Sequence, residues 1–205
     1  HKAPDDKDDF TTTIDNHVQT HGCPSKLHGA FLHAFLLTPS ADGTITAETT
    51  RLHDDLHKIF QKDNNSGAQS WVSELIQNAV DVNAEKISIN IEPGSLEFSH
   101  DGSNPGGSSI FTPKQLFFLF NMNNSTKMGD FTKIGQFGVG FKYWWWFFEK
   151  LEVIVKDGQY CHNISINYDF NTGKTIYKCE ELDGDSLTTF RFSNPKGTKW
   201  PDFVS

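Results

Sequence analysis

Three short runs of this 205-residue chain combine residue types and spacings that chemistry can use. The first is Glu74-Leu75-Ile76-Gln77-Asn78-Ala79-Val80-Asp81, inside a stretch from about 68 to 82 whose periodicity predicts a helix. At about 100° per residue, Glu74, Asn78 and Asp81 point to roughly 0°, 40° and −20°, while Val72, Ile76, Ala79 and Val80 spread over roughly 140° to 240°. The second group is expected to face the core. A carboxylate with an amide oxygen one turn later suits a hard cation and its water; the same stripe also suits the solvated face of an amphipathic helix.

The second run is Gly135-Gln136-Phe137-Gly138-Val139-Gly140-Phe141-Lys142, ahead of an aromatic, apolar segment. Glycines before a helix let main-chain N–H groups approach an anion near the positive helix end, although glycine turns also serve tight packing. A Walker A loop is excluded because Phe141 follows Gly140, and a dinucleotide fingerprint is excluded because position 143 is Tyr143. The third run is Leu96-Glu97-Phe98-Ser99-His100-Asp101-Gly102. An acid and a glycine closing a strand make an ordinary turn, or a carboxylate that accepts from the exocyclic amine of a purine.

These runs need elements to position them. Leu52, Leu56, Ile59 and Phe60 predict a helix from about 49 to 61, ahead of the one carrying Glu74. The period then becomes two: Ile87, Ile89 and Ile91 alternate with polar residues, and Pro93-Gly94-Ser95 turns the chain into Leu96 to Phe98, a hairpin with one buried face. Further strands are predicted at 151–155, 164–168, 174–179 and 187–192, a further helix near 114–120, and an aromatic helix over 143–148 whose rings mostly pack beneath the sheet. Helices before and inside such a sheet predict an α+β fold, a two-layer α/β sandwich with a mixed, mostly antiparallel sheet.

In this order and spacing the three runs resemble the nucleotide-binding domain shared by DNA gyrase, the ninety-kilodalton heat-shock chaperone, sensor histidine kinases and MutL, the GHKL or Bergerat-fold ATPases. Residues 74–79 and 134–142 most resemble the chaperone-like branch with sacsin-type and MORC-type domains. The resemblance spans roughly residues 50 to 192. It implies that Glu74 orients or deprotonates the attacking water, that Asn78 ligates magnesium, and that Asp81 is a polar neighbour. It also implies that Gly135, Gln136, Phe137, Gly138, Val139, Gly140, Phe141 and Lys142 hold the phosphates. Ser125, Thr126 and Lys127 would belong to a lid, and Thr188 would assist the group that reads adenine. The family writes Asp-x-Gly at the adenine site, and an overlay on Gly102 puts His100 there. Either Asp101 reads the base after a local shift, or purine selectivity is altered.

The resemblance thus implies magnesium-dependent ATP binding and slow hydrolysis that drive conformational change or dimerisation of a larger protein. Its alternative is a non-hydrolysing nucleotide switch or a degenerate module. Expected ligands are ATP, ADP and Mg2+; homodimerisation would run through domains outside this chain. The chain opens on His1 and is read as an excised piece, with 1–48 as a partly irregular N-terminal arm and 49–205 as the ATP-binding domain.

Composition limits the alternatives. Eighteen phenylalanines and five tryptophans exclude a disordered chain, and a net charge of −8 argues against nucleic acid as partner. It also leaves a polyphosphate to magnesium and main-chain N–H groups, with few cations such as Lys127 and Lys142. Three cysteines without CxxC spacing fit reduced thiols, hence a cytoplasmic setting with a nuclear one as the alternative, and no apolar run is long enough for a membrane span. His53 and His57 stand one helical turn apart, but a solvated face explains them more simply than zinc.

Overall fold

The computed structural model describes residues 40–48, 66–103, 144–157, 159–169, 171–184 and 187–195, with Asn16, Asp54 and Lys58. In chain order the elements are β1 (Thr44–Glu48), α1 (Ser66–Asp81), β2 (Ile87–Glu92), β3 (Ser95–His100), α2 (Trp144–Phe147), β4 (Phe148–Asp157), β5 (Tyr160–Asp169), β6 (Lys174–Leu182) and β7 (Thr188–Pro195). The strands form one seven-stranded sheet in the order β1-β6-β5-β4-β7-β3-β2. Every pairing is antiparallel.

The expectation of a two-layer α/β sandwich with a mixed sheet, the Bergerat arrangement, is therefore corrected. The described residues are mostly antiparallel sheet, with one long helix and one of four residues. The reason lies in the second half of the chain. Phe148 does not continue the aromatic helix but opens a ten-residue strand, and the nine- and ten-residue strands after it alternate buried positions with half-buried or exposed ones through most of their length. That period of two commits the backbone to strands longer than the apolar runs alone suggest. The helices expected over 49–61 and 114–120 lie outside the described residues, apart from Asp54 and Lys58.

Register makes the sheet two-sided. One row crosses all seven strands: Ile45, Tyr177, Ile166, Leu151, Phe192, Leu96 and Ile91, each opposite the next. All but the last are buried. A parallel row runs from Cys179 through Ile164, Val153, Phe190 and Phe98 to Ile89. The other face is polar, with Lys178, Ser165, Glu152, Arg191, Glu97 and Asn90 in one row. There Arg191 donates two hydrogen bonds to Glu97 Oε2, at 2.9 Å from Nε and 2.7 Å from Nη2.

Helix α1 lies against the apolar face through Trp71, Leu75 and Ala79, all fully buried or nearly so. The Trp71 indole meets Phe192 edge-on at 4.9 Å and reaches Phe147 at 6.1 Å and Phe148 at 6.3 Å between ring centroids. The expected core face of this helix is corrected: Ala79 is buried, Val72 is half-buried, and Ile76 and Val80 are 38% and 59% exposed. The buried stripe runs from about 60° to 140° relative to Glu74, because the largest apolar side chain, Trp71, decides which face turns inward. Around α2, Trp144, Trp145, Phe147 and Phe148 are buried, with Trp144 6.3 Å from Phe192 and Trp145 6.2 Å from Tyr168. No helix among the described residues is long and apolar enough to cross a membrane.

Candidate functional site

The rotation of α1 changes the surroundings of its polar residues. Glu74 and Asn78 do not stand opposite the core; they border the buried stripe and are half-buried, whereas Asp81 is exposed. A carboxylate and an amide one turn apart at the edge of an apolar layer are partly screened from bulk water.

The C-terminal end of α1 is fixed by hydrogen bonds. Asn83 takes φ 57°, its N–H donates to the Val80 carbonyl at 2.9 Å, and the Ala84 N–H donates to the Ala79 carbonyl at 3.0 Å. This is a Schellman cap, with Asn in place of the usual Gly. The chain leaving β3 docks on that cap. The Ser103 N–H donates to the Val82 carbonyl at 3.0 Å, and the Asp101 N–H to the Lys86 carbonyl at 3.3 Å. A Cβ on Gly102 would stand 2.7 Å from Val82 Cγ2 and 2.9 Å from the Val82 carbonyl oxygen. Gly102 is thus a close-approach glycine, and it holds the end of β3 against the helix that carries Glu74 and Asn78.

Asp101 is part of this latch. Its Oδ1 accepts from the main-chain N–H groups of Glu85 and Lys86, each at 2.9 Å. The Lys86 amide first, and then that of Glu85, hold its carboxyl below the usual carboxylate range. The local sequence around Asp101 gives no sign of this role, because the donors lie fifteen and sixteen residues earlier in the chain.

His100 faces the apolar layer and is 2% exposed. Its Nδ1 accepts from the Gly102 N–H at 3.1 Å, so the neutral ring carries its proton on Nε2 and is a donor there. Burial holds the imidazole below its usual pKa, against the pull of the neighbouring Asp101 charge. The ring stacks with Phe190 at 6.5 Å, and Thr188, also buried, is its Cα partner across β3 and β7. The structure therefore gathers Gly102, Asp101, His100 and Thr188 where β3 and β7 meet the end of α1, and Glu74 and Asn78 stand on that helix about two turns and one turn before the cap. Ser125, Thr126, Lys127 and Gly135 to Lys142 lie outside the described residues.

Among the described residues no three His, Cys, Asp or Glu side chains gather as a metal cage. Asn78 is half-buried beside a carboxylate one turn away, and that suits magnesium, which takes one or two protein oxygens and fills its shell with phosphate and water. No protein-family model matches this chain, and no curated protein matches it. The chemistry of the site therefore rests on these residues.

Proposed function

We propose that this chain binds a purine nucleoside triphosphate together with magnesium, ATP being the one the resemblance implies, and hydrolyses it slowly. One observation carries the reading: Glu74 and Asn78 are half-buried at the border of the buried stripe of a helix whose C-terminal end Gly102 latches to the end of β3, the strand that bears His100. The Glu74 carboxylate holds and deprotonates the attacking water, and the Asn78 side-chain oxygen, with the phosphates, holds the magnesium. Bound magnesium neutralises charge on the phosphates. Gly135, Gly138 and Gly140, which lie outside the described residues, are assigned to the same charge by the resemblance alone. Hydrolysis then serves conformational change or dimerisation of a larger protein.

A second reading, a nucleotide module without adenine selectivity, is favoured by one specific observation. The position given to the base-reading carboxylate holds an imidazole whose free nitrogen is a donor, and Asp101 spends one oxygen on main-chain amides. The exocyclic amine of adenine is a donor and gains nothing from the His100 donor, whereas the guanine oxygen in the same place accepts from it. Calorimetric titration with ATP, ADP and GTP, with and without magnesium, tests both readings. Magnesium-dependent binding of ATP tighter than that of GTP supports the first reading, GTP bound at least as tightly as ATP supports the second, and no binding of any nucleotide rejects both. Glu74→Ala should retain binding and lose hydrolysis by about a hundredfold or more. Unchanged turnover would reject Glu74 as the base.

A further inference from the structure

Strand β2 ends the sheet among the described residues, and all six of its residues are exposed. On the apolar face Ile87, Ile89 and Ile91 are 37%, 42% and 47% exposed, although they continue rows whose other members are almost all buried. The opposite edge differs, since Ile45 of β1 is buried. Edge strands of soluble proteins are ordinarily guarded by a charge, a proline or a bulge within the strand. Between Ile87 and Ile91 there is none, because Ser88 and Asn90 fill the other face.

We propose that β2 pairs antiparallel with β2 of a second copy, about a twofold axis at Ile89. In this register Ile87 lies opposite Ile91 of the second copy, Ile89 opposite its own counterpart, and Lys86 opposite Glu92, twice over. Six isoleucines then extend the apolar face without a break into the second sheet, and two opposite-charge pairs close the ends of the ribbon on the polar face. Lys86 and Glu92 are exposed, and Glu92 Oε1 holds only a surface hydrogen bond from Asn90 at 3.2 Å. Other registers fail. A slip of one residue sets isoleucine against polar neighbours on the opposite face. A shift of two places Ile91 against Glu85 in one direction and Ile87 against Pro93 in the other, and both separate Lys86 from Glu92. Charge and apolar matching therefore select a single pairing, which points to a second copy of this chain rather than to an unrelated extended segment.

Sedimentation velocity of the whole chain over a wide range of concentration tests this, without nucleotide and so independently of the proposed activity. The wild type should pass from monomer to dimer as concentration rises. Ile89→Lys sets two like charges together at the axis and should weaken the dimer by about tenfold or more. Lys86→Glu and Glu92→Lys should each weaken it, and the double variant should restore it, because the swapped charges face each other again. That rescue separates pairing from damage to the fold. A wild type that stays monomeric throughout overturns the proposal, as does a double variant no better than either single one.

Discussion

The two halves of α1 are joined to the sheet by different physics. Around Trp71 the contact is aromatic, with rings of Phe147, Phe148 and Phe192 at centroid distances of 4.9 to 6.3 Å. Such packing is strong and weakly directional. At the other end the contact is a set of main-chain hydrogen bonds, a glycine without room for a methyl group and a carboxylate that bridges two amides. That end contributes less apolar area but sets position closely. The rings keep the helix on the sheet, and the latch fixes the C-terminal end of that helix against the end of β3.

The largest effect should come from breaking the ring end. Trp71→Ala leaves a cavity beneath α1 and should cost about 3–5 kcal/mol in urea unfolding. A loss below about 1 kcal/mol would mean that the rings do not hold the helix. Next comes Gly102→Ala, whose Cβ would meet Val82 Cγ2 at 2.7 Å and must push the cap away. About 1–3 kcal/mol is expected, with weaker nucleotide binding, and an unchanged unfolding midpoint would show that the latch yields freely.

The smallest effects appear with pH and distinguish the two latch side chains. Burial keeps the folded His100 pKa below its usual value, so as pH falls below about 6.5 the unfolded chain takes up the proton first. Stability should decline from there until the folded ring protonates, and His100→Gln should remove that slope. Asp101 has the opposite window: its contribution is present above about pH 3.9 and is lost as pH falls through its lowered folded pKa. The gap in stability between wild type and Asp101→Asn should thus close only in strong acid. A gap already closed near pH 6 would contradict the bonds drawn to Glu85 and Lys86.

Much of the sheet is legible in the sequence because strict alternation of apolar and polar residues suits a strand with one buried face and does not suit a helix. The β2–β3 hairpin falls where Ile87, Ile89 and Ile91 place it, with Gly94 at φ 91° in the turn, but its expected buried face is buried only in β3, since the three isoleucines of β2 are exposed; the later strands fall on their predicted cores. Helix α1 ends within a residue of its expected end, but its inward face is not legible from periodicity alone. Trp71 and Leu75 compete with Ile76 and Val80 for the core, and tertiary contact with Phe192 decides the outcome. Fold class fails for a related reason: the run from Tyr143 looks helical by composition, yet Phe148 is claimed by a strand pair with β7. At the site, the grouping of Glu74 and Asn78 on one stripe of the helix is legible, but that this stripe borders the core is not. The use of Asp101 as a clamp is not, since its partners are main-chain groups brought near only by folding.

The position of β7 has a consequence for how the molecule comes together. It is the last described strand in the chain, yet it lies between β4 and β3, and the β2–β3 hairpin pairs with the rest of the sheet only through it. During synthesis from the N-terminus, α1 and that hairpin are complete long before residues 188–195 exist to join them to β4. Pairings across about ninety residues are slow to form, and strand edges left open in the interval are the surfaces on which chains aggregate. The growing chain therefore exposes both edges of the hairpin that carries Ile87, Ile89 and Ile91 until β7 arrives, and yield on expression should depend on how fast that strand is delivered.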